Sequence, residues 1–205
     1  MVSYDVSHSF YCSNDWFHFR IGGIAVNQNP IKLAYILAII GLICAGIIAI
    51  VHEITIPIIE EQLWLEKQQN FETFFEDVTR FEEVQINEEA YKSLTTIYHL
   101  YDRNDMNIGD VYELKTKGYG GDIQLLVAYD IQTQTLLQLS YIGSFNETPG
   151  FGSRVKEDEF LSQIRHRFVE EVEINTLTGA TITSTAIKDA VEEANSYFLN
   201  QESKK

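Results

Sequence analysis

The stretch richest in potential chemistry is residues 175–184, NTLTGATITS, which places several threonine hydroxyls around a single glycine. The apolar periodicity that follows predicts a helix to about residue 200, with Ser184 as its N-cap. Free backbone N–H groups and the dipole at a helix N-terminus attract anions, and threonine hydroxyls add donors. These residues predict a phosphate held at the start of the last helix. Composition alone favours a simpler interpretation, a helix cap with surplus hydroxyls.

A long apolar stretch near the N-terminus predicts a membrane anchor. Residues 33–51 read LAYILAIIGLICAGIIAIV and contain no charged side chain. Nineteen residues of α-helix span ~28 Å, close to the hydrocarbon thickness of a bilayer. The stretch is too long for a signal-peptide core and no small-x-small cleavage site follows it, so we expect an uncleaved anchor.

The charges that flank this stretch predict its orientation. Lys32 precedes it and Glu53 follows it, and the positive-inside rule then places the N-terminus in the cytoplasm. We therefore expect a cytoplasmic segment over residues 1–30, a transmembrane helix over 31–52 and an extracytoplasmic domain over 53–205.

Charge and cysteine content exclude several kinds of function. The formal net charge of −15 lies wholly on residues 53–205, and such an acidic surface repels phosphate backbones, which excludes nucleic acid as a partner. Both cysteines, Cys12 and Cys44, lie in the N-terminal part, so the main domain has neither a disulfide nor a thiolate metal site. The histidines lack ligand-like spacing, and no metal site is predicted.

The remaining pattern predicts an α+β domain with a small antiparallel sheet and flanking helices. Residues 53–76 favour a helix that is interrupted or bent at Pro57. Between residues 95 and 144, β-branched and aromatic segments separated by turn signals predict a meander of about four strands. A short helix is predicted over residues 156–166, before the C-terminal helix.

Four short blocks, in order along the chain, resemble the FMN-binding domain family. TGAT at 178–181 is similar to the flavinylation motif of that family, and KGYGG at 117–121 and ETPGFG at 147–152 are similar to two further family blocks. HEITIPIIE at 52–60 resembles the corresponding stretch of the G subunits of Rnf-type electron-transport complexes. The resemblance covers roughly residues 30–200.

The resemblance implies FMN joined covalently to Thr181 through a phosphoester bond. A separate FMN transferase would attach the group, and the domain would relay electrons in an ion-translocating complex of the bacterial inner membrane. The other membrane subunits of that complex are the implied partners, and the chain is not expected to catalyse a reaction alone. The resemblance also implies flavin-site roles for Thr178, Gly179, Ala180 and Thr183 in the turn, and for Glu147, Thr148, Pro149 and Gly150 upstream.

Asn175 departs from the family pattern, which has an acidic residue six positions before the acceptor threonine. Asparagine keeps the size and one acceptor oxygen but loses the charge that a transferase could use. This departure leaves open a flavin-free assembly or sensory protein with the same fold. The related C subunit of a Na⁺-translocating NADH:quinone oxidoreductase is a further alternative, which differs in its partners and not in its chemistry.

Overall fold

The structure is a computed structural model that describes residues 30–86 and 91–203. Apart from Pro30, the predicted cytoplasmic segment 1–30 lies outside the described residues. Packing divides the chain into two units, Met1–Glu53 and Ile54–Lys205. The second unit contains the sheet and the C-terminal helix, and therefore everything that positions the candidate site.

The first helix, α1 (Pro30–Phe74), contains the whole apolar stretch. It is long and apolar enough to cross a membrane, and its isoleucine and leucine side chains up to Val51 are exposed. The helix continues through Pro57, so the predicted interruption there is wrong. A proline removes one backbone hydrogen bond, and the bonds of the neighbouring turns are sufficient to continue the helix.

Six antiparallel strands form one sheet, in which their order is their order in the sequence. They are β1 (Arg80–Gln85), β2 (Leu94–Tyr101), β3 (Asn107–Lys117), β4 (Asp122–Asp130), β5 (Thr135–Ile142) and β6 (Arg167–Phe168). The predicted α+β class is confirmed, and β2 to β5 form the predicted meander. The two edge strands were not predicted, because β1 reads RFEEVQ with mostly exposed side chains and β6 has two residues.

Each face of the sheet carries its own core. One face packs against the C-terminal helix α3 (Thr181–Glu202) and buries Tyr112 and Tyr129. The other face packs against the last turns of α1, where the Phe71 and Tyr98 ring centroids lie 5.0 Å apart. Successive side chains of a strand point to opposite faces, so both faces of the central strands must be apolar. The sheet thereby supports α3 on one face and the end of α1 on the other.

The helical predictions after the meander need two corrections. Residues 156–166 do not form one helix, because a 3₁₀ helix (Gly152–Lys156) is followed by a four-residue helix, α2 (Asp158–Leu161). The chain then reaches His166, whose φ of +53° ends any helical path before β6. The C-terminal helix begins at Thr181, with Ala180 as the N-cap residue in place of the predicted Ser184. Its predicted apolar stripe is confirmed, and the buried members are Ile187, Ala190, Val191, Ala194, Tyr197 and Phe198.

Buried tyrosines set an alkaline limit to stability. Burial raises the pKa of Tyr98, Tyr129 and Tyr141 above the ordinary tyrosine value of 10.0. Above that pH the unfolded chain releases these phenolic protons while the folded chain retains them, so the unfolded state is stabilised. The free energy of unfolding should fall by about 1.4 kcal/mol per pH unit for each tyrosine. Urea unfolding of the full chain in detergent at about pH 9 and about pH 11 tests this expectation, and equal midpoints would contradict it.

Candidate functional site

The turn before α3 presents Thr181 at the first position of that helix. The Ala180 N–H donates to the Leu177 carbonyl at 3.0 Å, and Gly179 has a φ of +84°, a left-handed conformation that favours glycine. The Thr181 side chain is exposed, and its hydroxyl makes a long 3.4 Å hydrogen bond to the Leu177 carbonyl. Because the N-cap alanine has no side-chain oxygen, the first turn of α3 presents its backbone N–H groups at the same place as this hydroxyl.

Ser184 fixes the turn from the buried side. Its hydroxyl donates to the Ala180 carbonyl at 2.9 Å and accepts a hydrogen bond from the Leu177 N–H at 3.0 Å. An N-cap side chain bonds to N–H groups two or three residues ahead, whereas Ser184 reaches back along the chain. The predicted N-cap role of Ser184 is therefore wrong, and its observed role is to tie the TGAT turn to α3.

Arg154 holds the outer side of the same turn. It lies in the 3₁₀ helix Gly152–Lys156 and donates from Nη1 to the Thr178 carbonyl at 3.0 Å and from Nη2 to Glu159 at 2.9 Å. The guanidinium forms an ion pair with Glu159, so its observed role is to hold the turn through the Thr178 carbonyl. The sequence did not single out Arg154, because only the fold brings it to Thr178.

Glu147 is buried next to the first turn of α3. Its carboxylate accepts a hydrogen bond from the Thr183 hydroxyl at 2.8 Å and another from the Gly120 N–H at 3.0 Å. One side chain thus joins three parts of the chain that are far apart in sequence: the 117–121 block, the 147–152 block and α3. The three blocks that the family resemblance singled out in the main domain meet around this carboxylate.

A cleft of about 430 Å³ opens beside Thr181. Three side chains on its walls are apolar and yet exposed, namely Tyr119 at 72%, Phe151 at 59% and Ile182 at 59%. Exposed aromatic side chains around a concave site are suited to contact a flat ring. The full lining consists of Tyr119, Glu147, Thr148, Phe151, Gly152, Gly179, Ala180, Thr181, Ile182 and Thr183.

Most of the predicted site residues line this cleft; the exceptions are Thr178, Pro149 and Gly150. Thr178 is exposed, and its carbonyl accepts from Arg154. Pro149 and Gly150 are exposed in the turn that leads to Phe151, where Gly150 has a φ of +75°. The predicted residues in the lining are Thr181, Gly179, Ala180, Thr183, Glu147 and Thr148.

Three wall residues, Tyr119, Phe151 and Ile182, were not predicted. A signal was present for two of them, since Tyr119 is the central residue of KGYGG and Phe151 lies within ETPGFG. An aromatic residue between glycines, in a segment predicted as a loop, is a candidate for an exposed contact with a ligand. Ile182 gave no such signal, because it lies before the predicted Ser184 N-cap, in a stretch whose chemistry was assigned to the threonine hydroxyls.

Comparison with known families identifies the domain in which this cleft lies. A model of the FMN-binding domain matches residues 118–196, a range that includes every residue lining the cleft. A model of the RnfG N-terminal region matches residues 27–73, which include nearly all of α1. The chain thus has an RnfG-type N-terminal region followed by an FMN-binding domain. Within residues 30–86 and 91–203, α1 is the one helix long and apolar enough to cross a membrane, which indicates a single-pass membrane protein.

Two relatives match the chain over most of their length. The chain is 29% identical over 158 residues to the G subunit of the proton-translocating ferredoxin:NAD(+) oxidoreductase complex of Clostridium ljungdahlii, a match that covers 72% of this chain and 80% of that protein. It is 22% identical over 201 residues to the G subunit of the ion-translocating oxidoreductase complex of Shewanella piezotolerans, covering 87% and 94%. Among solved structures, NqrC of Shewanella oneidensis matches with a TM-score of 0.43 and 18% identity, over 60% of this chain and 70% of that one.

Proposed function

We propose that this chain carries FMN covalently on Thr181 and relays electrons within a membrane-bound, ion-translocating oxidoreductase complex. The observation that supports this most is the exposed Thr181 hydroxyl at the start of α3, in a cleft walled by Tyr119 and Phe151. A phosphoester on that hydroxyl would set the phosphate at the helix N-terminus, where backbone N–H groups and the helix dipole favour an anion.

The chemistry of the cleft fits an FMN group. Its volume of about 430 Å³ is in the range of small-molecule sites. Two exposed aromatic side chains, Tyr119 and Phe151, offer apolar faces to an isoalloxazine ring. The Arg154 guanidinium, paired with Glu159, donates to the Thr178 carbonyl and so holds the turn that would carry the phosphate.

The chain's own residues would bind and orient the flavin. A bound flavin supplies one- and two-electron transfer, and the protein supplies position and environment. Thr181 would tether the phosphate, while Ser184 and Arg154 hold the turn from two sides. Tyr119 and Phe151 would shield part of the ring from water and leave the open side of the cleft to a neighbouring carrier.

The relatives support a place in a larger assembly. Both are named as the G subunit of an oxidoreductase complex, one of them proton-translocating and the other ion-translocating. For this chain we expect partners among the other membrane subunits of such a complex, and a separate FMN transferase that attaches the flavin. The flanking charges favour an N-terminus in the cytoplasm and residues 53–205 on the outer side of the bacterial inner membrane.

Reconstitution tests the relay. Membranes that lack this chain should lose ion-coupled electron transfer, and they should regain it when the full chain is supplied in its flavinylated form. The flavin-free full chain, prepared without an FMN transferase, is the matched control and should restore nothing. Restoration by the flavin-free form would contradict the relay and favour a role in assembly.

Protease accessibility tests the orientation. Protease added to intact spheroplasts should degrade the region after residue 53, because the acidic domain is expected on the outer side. A cytoplasmic marker protein should stay intact in the same sample. If the domain survives until the cells are lysed, the predicted orientation is wrong.

A further inference from the structure

We propose that Glu147 is a positioning residue that assembles the cleft and, through its negative charge, lowers the reduction potential of the flavin. This inference rests on the proposed function, and it concerns what the cleft does to the flavin after attachment. The Glu147 side chain is 7% exposed and lies in the cleft lining, so its charge is both buried and close to the space that a ligand would fill.

Both carboxyl oxygens of Glu147 take part in hydrogen bonds. Oε2 accepts from the Thr183 hydroxyl at 2.8 Å, and Oε1 accepts from the Gly120 N–H at 3.0 Å. The Gly120 N–H can only donate, so Oε1 is an acceptor whatever the direction of the Thr183 hydroxyl. Thr183 is the third residue of α3, so the carboxylate also lies at the positive end of the helix dipole.

The glycines of the 117–121 and 147–152 blocks make room for this carboxylate. A Cβ added at Gly118 would collide with Oε1 of Glu147, and a Cβ added at Gly152 would collide with Oε2. At Gly120 the corresponding collision is with the Asn146 carbonyl, directly before Glu147. Both glycine-rich blocks therefore approach the carboxylate more closely than any other residue type would allow.

A structural role alone does not account for the charge. Among the described residues, no lysine, arginine or histidine forms an ion pair with Glu147. Burying an unpaired carboxylate is unfavourable, and a glutamine would fill the same volume and keep the bond from the Gly120 N–H without that penalty. A negative charge in the wall of the cleft opposes the addition of electrons to a ring bound there, which gives the charge a use in setting the potential.

Potentiometric titration of the flavinylated full chain in detergent tests this proposal. Glu147→Gln should retain the covalent flavin and shift its midpoint potential to a more positive value than the wild type. Thr183→Val removes one of the two donors that offset the charge, so at alkaline pH, where the carboxylate stays ionised, this variant should shift the potential to a more negative value. A purely structural role would move both variants in the same direction or leave both unchanged. Glu170→Gln, which changes an exposed acid outside the cleft, is the matched control and should match the wild type.

The outcomes separate this inference from the proposed function. A folded, flavinylated Glu147→Gln chain with the wild-type potential overturns the role of Glu147 and leaves the flavin on Thr181 in place. If Glu147→Gln does not fold, Thr183→Val decides: a more negative potential supports the inference, and an unchanged or more positive potential overturns it. A wild-type chain that takes up no flavin beside an active transferase overturns the proposed function, and the inference with it.

Discussion

Thr181→Ala is expected to remove all covalently bound flavin while the chain still folds and inserts into the membrane. A phosphoester needs a hydroxyl acceptor, and alanine lacks one. The side chain is exposed and makes a single long hydrogen bond of 3.4 Å in the structure, so folding should be little affected. The measurement is flavin fluorescence on a denaturing gel, after production beside an active FMN transferase, with the amount of protein matched to the wild type.

Neighbouring threonines provide the controls for this variant. Thr176 and Thr178 are exposed and close to Thr181 in sequence, and Thr178 bonds to Arg154 through its backbone carbonyl, which alanine retains. Thr176→Ala and Thr178→Ala should therefore keep most of the fluorescence, since a supporting hydrogen bond contributes only about 1 kcal/mol. Fluorescence that persists in Thr181→Ala, or that disappears in Thr178→Ala alone, would place the attachment elsewhere.

Lys67→Met should destabilise the main domain by about 3–5 kcal/mol, because it leaves a buried carboxylate without its partner. Lys67 Nζ lies 2.7 Å from Glu113 Oε2 between α1 and the sheet, and their side chains are only 12% and 10% exposed. The Tyr98 hydroxyl donates to the same Glu113 oxygen at 3.0 Å. This pair therefore attaches the end of α1 to the sheet that supports the cleft.

The surface pair of Lys115 and Asp122 is a matched control. Its N–O distance is 3.0 Å, similar to that of the buried pair, but the side chains are 49% and 59% exposed. Lys115→Met should therefore change the free energy of unfolding by less than about 1 kcal/mol. Urea unfolding of each full-length variant in detergent measures the difference. Combining Lys67→Met with Glu113→Gln should recover most of the loss, and equal effects of the two lysine variants would contradict a buried pair.

The parts of the fold that the sequence predicted are those with strong local patterns. The meander of β2 to β5 is rich in β-branched and aromatic residues with turn signals between strands, and α3 shows a clear apolar stripe. The edge strand β1 lacks this pattern because only Phe81 of its residues is even half-buried. β6 is too short to have a pattern, and its pairing with β5 depends on the fold and not on its own residues.

In the candidate site, too, the features with a local sequence pattern could be predicted, and those that depend on the fold could not. Thr181 could be predicted because the TGAT turn and the helix that follows are contiguous in sequence. The link from Arg154 to Thr178 and the link from Glu147 to Thr183 could not be predicted, because they join residues 24 and 36 positions apart. The same limit explains Ser184: a serine near a helix start resembles an N-cap, and only the three-dimensional path of the turn shows that its hydroxyl points back.

Asn175 is the residue whose type does not match the family motif for the proposed modification. Its backbone N–H donates to Gln163 Oε1 at 2.7 Å, and the residue is exposed, so a transferase can reach the side chain. If wild-type chain made beside an active transferase is poorly flavinylated, the missing charge is the first cause to test. Asn175→Asp should then increase the flavinylated fraction.

The most direct test of the covalent flavin is the mass of the wild-type chain and of its peptides. Full-length protein made beside an active FMN transferase should be heavier than the sequence mass by one FMN less one water. After digestion, fragmentation of the modified peptide should place that mass on Thr181 and on no other hydroxyl. An adduct on another residue, or an unmodified chain in both the wild type and Asn175→Asp, would contradict a flavin carried on Thr181.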